Sequence, residues 1–126
     1  MLKKVELHSH EHFTFSTYVV AGDFIYTSHI GGIYNDEGNK LETIEGQTRQ
    51  TLKNLQEVLA NEDVTLNDVV KTTVWLKDLS DFGAMRDVYR DYFTDGYPAR
   101  MSATTDFIEP SCLIMIEAVA FKQTRL

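Results

Sequence analysis

One cysteine in 126 residues leaves no partner for an intrachain disulfide, so packing and hydrogen bonds alone must hold the fold. Cys112 sits in "SCLIMI" and reads as a small buried hydrophobe without the electropositive neighbour that would activate a thiol. A reducing cytoplasm is the compartment this usage predicts. No apolar run approaches the length of a membrane span, and the lysines of "MLKKVELHSHEHF" precede no apolar stretch. Neither a membrane segment nor a secretory signal is expected. Positive charge is also scarce: twelve basic residues against nineteen acidic ones give a net charge of −7, with no basic patch. Nucleic-acid binding rests on phosphate neutralisation, so that class of partner is disfavoured. Repeats, low-complexity segments and dividing linkers are absent, which predicts a single domain over residues 1–126.

What is present is a patterned set of apolar segments. "KKVEL", "STYVVA" and "DFIYTSHI" carry β-branched and aromatic residues and read as strands, with Gly22-Asp23 as the turn between the second and third. "GGIYNDEGNK" reads as a loop, and its Gly31-Gly32 pair as a turn, since it lacks the lysine and spacing of a phosphate loop. In "TIEGQTRQTLKNLQEVLA" the spacing of Ile44, Leu52, Leu55, Val58 and Leu59 predicts a helix capped by Thr43, with Glu45 in its first turn. "DVVKTTVWL" predicts a strand. "SDFGAMRDVYRDYF" predicts a second helix through Phe82, Met85, Tyr89, Tyr92 and Phe93, and "ARMSATTDF" and "CLIMIEAVAF" predict two closing strands. The expected fold is α+β: a single sheet of about six strands with two helices crossing over on one face. The last strand is apolar at both parities, Cys112, Ile114, Ile116 and Ala118 against Leu113, Met115 and Val119. Nothing in the chain remains to cover the second face, so a symmetric homo-oligomer closing its sheets around a shared core is expected, with sites between subunits.

Several segments could carry chemistry. His8, His10 and His12 in "HSHEH" share one side of a strand, but no second cluster has ligand spacing, and a terminal strand with incidental histidines is expected rather than a metal site. Ser28-His29 places a hydroxyl beside an imidazole, yet neighbours in a strand point to opposite faces and cannot form a nucleophile–base pair. Arg100 is different. Pro98 fixes the chain's entry and alternation puts Arg100, Ser102 and Thr104 on one face, where a guanidinium is either one half of a structural ion pair or an anchor for a carboxylate.

"FSTYVVAGDFIYTS", "QTRQTLKNLQEVL", "DVVKTTVWLKDLSDFGAMRDVYRDYF", "YPAR" and "IEAVAF" together resemble, in the same order, the blocks of the RidA/YjgF family of small trimeric imine deaminases. The resemblance covers nearly the whole chain. It implies a chorismate-mutase-like homotrimer whose sheets close a central barrel with the helices outside, and no cofactor. It further implies three intersubunit clefts that bind small 2-imino or 2-keto acids. By position it makes Arg100 the group that grips the substrate carboxylate, Ser28 a serine beside the ligand, and Ser102 the residue where many members have cysteine.

Three positions depart from that pattern. The family's tyrosine falls on Phe15, which lacks the hydroxyl, and Tyr18, three residues on, faces the other way in a regular strand. The glycine that usually follows the cleft serine is His29. The glutamate thought to orient water is Met115, which cannot accept a proton, while Glu117 shares its parity about 6.6 to 7 Å further along the strand. The resemblance therefore predicts a slow 2-imino acid deaminase in which Glu117 is the remaining candidate acid–base group. A non-catalytic carboxylate-binding or regulatory trimer is the alternative, and a ribonuclease is the weakest reading for so acidic a chain.

Overall fold

Alternation in the strands and helical spacing in the two amphipathic segments give a single mixed sheet with both helices packed on one face. The structure is a computed structural model that describes residues 1–7 and 13–123, so the His8, His10 and His12 cluster lies outside the described residues. The elements are β1 (Leu2–Val5), β2 (Tyr18–Ala21), β3 (Phe24–Thr27), α1 (Ile44–Ala60), β4 (Val69–Leu76), α2 (Phe82–Arg90), β5 (Ala99–Thr104) and β6 (Ile114–Phe121). The six strands lie in the order β1-β2-β3-β6-β4-β5. All neighbours pair antiparallel except β4 and β5, which run parallel because α2 carries the chain back between them.

Helix α1 begins as its sequence predicts, with Thr43 Oγ1 accepting from the Gly46 N–H at 3.0 Å. Its Ile44, Leu52, Leu55 and Leu59 pack with Met85 and Tyr89 of α2 onto Ile25, Val74, Ile114 and Ile116 of the sheet. Helix α2 is shorter than the periodicity suggests. A 3-10 turn capped by Asp78 precedes it, and it stops at Arg90, although Phe93 beyond its end is still buried. Strand β6 alternates as buried Ile114, Ile116, Ala118 and Ala120 against half-buried Met115, Glu117, Val119 and Phe121. Among the described residues no element covers that second face, and Phe24, Tyr26 and Met101 stand open on the same side, Met101 58% exposed.

Three local expectations change. The segment "DFIYTSHI" is not one regular strand: between the pairs Tyr26↔Val119 and Ile30↔Ile116, three residues face two on β6. Thr27 causes the break, because its Oγ1 takes the Ala118 N–H at 2.9 Å in place of a backbone carbonyl. Alternation therefore resets between Thr27 and Ile30. Strand β6 starts at Ile114, so Cys112 lies before it, buried, with Sγ 3.3 Å from the Ile114 carbonyl and its thiol pKa pushed up by burial. The Gly31-Gly32 pair is not a positive-φ turn. Gly32 is pressed against α1, where a Cβ would stand 2.6 Å from the Thr51 nitrogen and 2.9 Å from the Gln47 carbonyl oxygen. Those are backbone atoms that cannot swing away, so Gly32→Ala is expected to destabilise by about 1–3 kcal/mol, read as a lower urea midpoint at unchanged m-value.

The N-terminal strand is tied down by a buried carboxylate. Glu62, just beyond α1, accepts from Lys3 Nζ at 2.8 Å and from the Tyr18 hydroxyl at 2.6 Å. The Lys3 ammonium first, then Tyr18, hold the Glu62 carboxyl below its ordinary 4.5 against the opposing effect of burial. Burial, with Glu62 beside it, pushes the Tyr18 phenol up to about 12. A lowered carboxylate pKa contributes stability that is present above the ordinary value and lost as pH falls through the folded one. Tyr18→Phe is expected to cost about 1.5–3 kcal/mol near neutral pH and to flatten the acid limb of the stability profile, measured by urea titrations between about pH 3 and pH 7.

Candidate functional site

The register of β4 against its two neighbours decides where each site residue can act. Arg100 pairs with Thr72, and Thr72 with Ala118; both partners are buried on the helix side of the sheet. Arg100 therefore also faces α2. Its guanidinium carbon lies 5.5 Å from the Phe82 ring centre and 5.3 Å from that of Tyr89. Tyr89 is held from below by a 2.7 Å hydrogen bond to Thr72 Oγ1. These rings give the guanidinium an aromatic seat, and among the described residues no hydrogen bond or ion pair engages its N–H fork. Of the two readings of this arginine, the ion pair finds no carboxylate partner among the described residues. A cleft of about 250 Å³ lies over it, lined by Arg86, Tyr89, Arg90, Tyr97 and Arg100.

Ser102 stands on the same side of β5, paired with Val74, and lines a neighbouring cleft with Leu79 and Phe82. Its Oγ is buried and has no hydrogen-bond partner among the described residues. Such a group carries a desolvation cost until something supplies a polar contact.

The other predicted residues gather on the opposite side. Met115 pairs with Trp75 on the uncovered face of the sheet and forms the floor of a cavity of about 570 Å³. Its wall consists of Phe13, Phe15, His29, Phe107 and Ile108, with Asp106 and Glu109 also lining it. Phe13 and Phe15 stack at 5.9 Å, and Phe15 meets the His29 ring at 5.0 Å. Glu109 is turned toward its own loop, its carboxylate accepting from the Ser111 N–H and hydroxyl, which hold its pKa low. Ser28 is half-buried and donates its backbone N–H to the Thr17 carbonyl; the structure does not bring it into this wall. Glu117 is on the same face as Met115 but is drawn along the strand, accepting from Trp75 Nε1 at 3.3 Å. Tyr18 is committed to Glu62 in the core and offers no hydroxyl here.

Thus the single chain carries two half-sites on opposite faces of one sheet. Arg100 and Ser102 belong to one, Phe15, His29 and Met115 to the other. Sequence reasoning missed Phe13, Phe107 and Ile108 in the cavity and Phe82 and Tyr89 beneath Arg100. The Phe-x-Phe spacing of Phe13 and Phe15 was visible, whereas the loop carrying Phe107 and Ile108 has no periodicity to mark it.

A family model described as Endoribonuclease L-PSP matches residues 7–122. The chain belongs to this family, which includes the YjgF and RidA proteins. A RutC family protein of Pyrococcus horikoshii is 37% identical over 113 residues, covering 86% of this chain and 87% of the relative. The 2-iminobutanoate/2-iminopropanoate deaminase of Mus musculus is 39% identical over 74 residues, covering 59% of this chain and 55% of its own. The crystal structure of RidA from an Antarctic Psychrobacter superposes with a TM-score of 0.80 at 27% identity, covering 94% of each chain. The fold expectation of one six-stranded sheet with two helices is that of the YjgF family.

Proposed function

We propose that this family member is an imine deaminase that hydrolyses 2-imino acids to 2-oxo acids and ammonia in clefts between the subunits of a homotrimer. The observation that carries the reading is the Arg100 guanidinium, seated on Phe82 and Tyr89 without a carboxylate partner among the described residues. The relative named 2-iminobutanoate/2-iminopropanoate deaminase supports the reaction class. The two half-sites support a cleft between subunits, because Arg100 cannot reach the Met115 wall through its own sheet.

In this cleft Arg100 of one protomer binds the substrate carboxylate through paired N–H donors. The Phe15, His29 and Met115 wall of its neighbour closes over the imine and excludes bulk water. One held water adds to the carbon of the protonated imine and loses a proton, giving a carbinolamine. The carbon–nitrogen bond then breaks as the nitrogen is protonated, and ammonia leaves with the 2-oxo acid. Orientation supplies much of the acceleration, while a placed general base typically adds 10²–10⁴-fold. Met115 cannot be that base, and Glu117 acts only through an intervening water from its place beside Trp75. The enzyme is therefore slow.

The test generates 2-iminopropanoate or 2-iminobutanoate with an amino-acid oxidase and follows ammonia release against semicarbazone trapping. Acceleration over the uncatalysed rate is expected, and its absence would overturn the reading. A second reading, a carboxylate-binding or regulatory trimer, is favoured by Met115 and Phe15, where the acid and the hydroxyl are missing together. Calorimetric binding of 2-oxo acids that depends on Arg100, without turnover, would establish it. The family description names an endoribonuclease. The net charge of −7 argues against RNA as the substrate of this member.

A further inference from the structure

Resting on the reading above, we infer that the substrates are 2-imino acids with bulky apolar side chains, branched or aromatic, and that the Met115 cavity is the subsite for that side chain. The cavity is about 570 Å³ and is walled by Phe13, Phe15, Phe107, Ile108 and Met115, with His29 completing the aromatic side. Small-molecule sites of roughly 300–1,000 Å³ bury most of a ligand's surface against apolar walls. A methyl or ethyl group would leave most of this wall in contact with water. An isobutyl or benzyl group would cover it.

Polarity points the same way. Met115 and Phe15, a thioether and an unsubstituted ring, both stand in the wall of this cavity. Neither carries a polar group that would have to be desolvated when an apolar side chain enters. A thioether adapts to irregular apolar shapes and packs well against rings. The charged groups lining the cavity, Asp106 and Glu109, are both acidic, Glu109 being already engaged by Ser111, so among the described lining residues no Lys or Arg offers a seat for a second carboxylate on the ligand. The substrate is then a monocarboxylate, its one anionic group held on Arg100 from the adjoining protomer. Ile108 is fully exposed in the isolated chain, as expected for a wall residue that a ligand or the closing subunit covers.

Two measurements on the intact protein test this. Calorimetry with pyruvate, 4-methyl-2-oxopentanoate and phenylpyruvate reads the subsite without needing turnover. The two larger acids are expected to bind about ten-fold or more tighter, since a single methylene in an apolar pocket is worth roughly that much. The oxidase-coupled assay with alanine, leucine and phenylalanine is expected to give the same rank in kcat/KM. If the larger acids bind tighter but no imine is turned over, the deaminase reading fails and the subsite stands. Equal binding, a preference for pyruvate, or no binding at all overturns the subsite. Ile108→Asp is expected to lower the ratio of phenylpyruvate to pyruvate affinity by about ten-fold. A variant that changes the assembly size on gel filtration and leaves that ratio intact would show the wall to be only a subunit contact, and would overturn the inference.

Discussion

Replacing Arg100 with alanine is expected to lower kcat/KM for 2-imino acids by about 10²–10³-fold, the equivalent of about 3–4 kcal/mol of lost transition-state binding. A carboxylate closed into a cleft without its guanidinium is a desolvated and unpaired charge, so the penalty exceeds the worth of an exposed ion pair. Folding should suffer little. Arg100 lies over the Phe82 and Tyr89 rings at the sheet's edge strand, and such contacts are worth about 0.5–1 kcal/mol each at exposed sites. The variant is thus expected to keep nearly the parent melting temperature while losing both turnover and calorimetric binding of 2-oxo acids. Arg100→Lys restores the charge but not the planar fork, and should recover only part of the loss. Full activity in Arg100→Ala would remove the anchor, and with it the proposed function.

Met115→Glu is expected to raise kcat on small imino acids by about 10²-fold, because it returns a general base to a position facing the cleft. The geometry allows it: Met115 already projects from β6 into the cavity beside Phe15 and His29. The same apolar wall would disfavour the ionised carboxylate and push its pKa upward. Activity should then rise with pH through that elevated pKa, whereas the parent enzyme lacks that limb. The substitution should also cost the preference for bulky side chains, as it sets a charge where an isobutyl or benzyl group is to lie. A Met115→Glu protein that folds, assembles and binds 2-oxo acids but shows no gain in rate would show that the base is not the limiting part.

How much of this was legible in the chain follows from the range of each interaction. Thr43 at the start of α1 and the buried Ile44, Leu52, Leu55 and Leu59 could be read directly, since capping and 3.6-residue spacing are local properties. Gly22 at the β2–β3 turn was similarly readable, with φ at 61° where a two-residue hairpin needs it. Gly32 looked the same in sequence yet serves a different end, because the backbone of α1 lies where its side chain would be. Tyr18 and Glu62 gave no sequence signal at all. Their hydrogen bond joins residues 44 positions apart.

The sequence by itself determined the α+β class, the helix faces and the uncovered apolar side of β6, each of which follows from residue type and period over a few neighbours. Pattern left Arg100 open between an ion pair and a carboxylate anchor, and the resemblance of its Pro-Ala-Arg block is what marked it as the anchor. Only the tertiary structure decided that Arg100 and Met115 face opposite sides of one sheet, and that Phe13, Phe15, Phe107 and Ile108 converge on Met115. The reason is physical. The side on which a strand residue points depends on its pairing partners two strands away and on the extra residue near Thr27, and no local pattern encodes either.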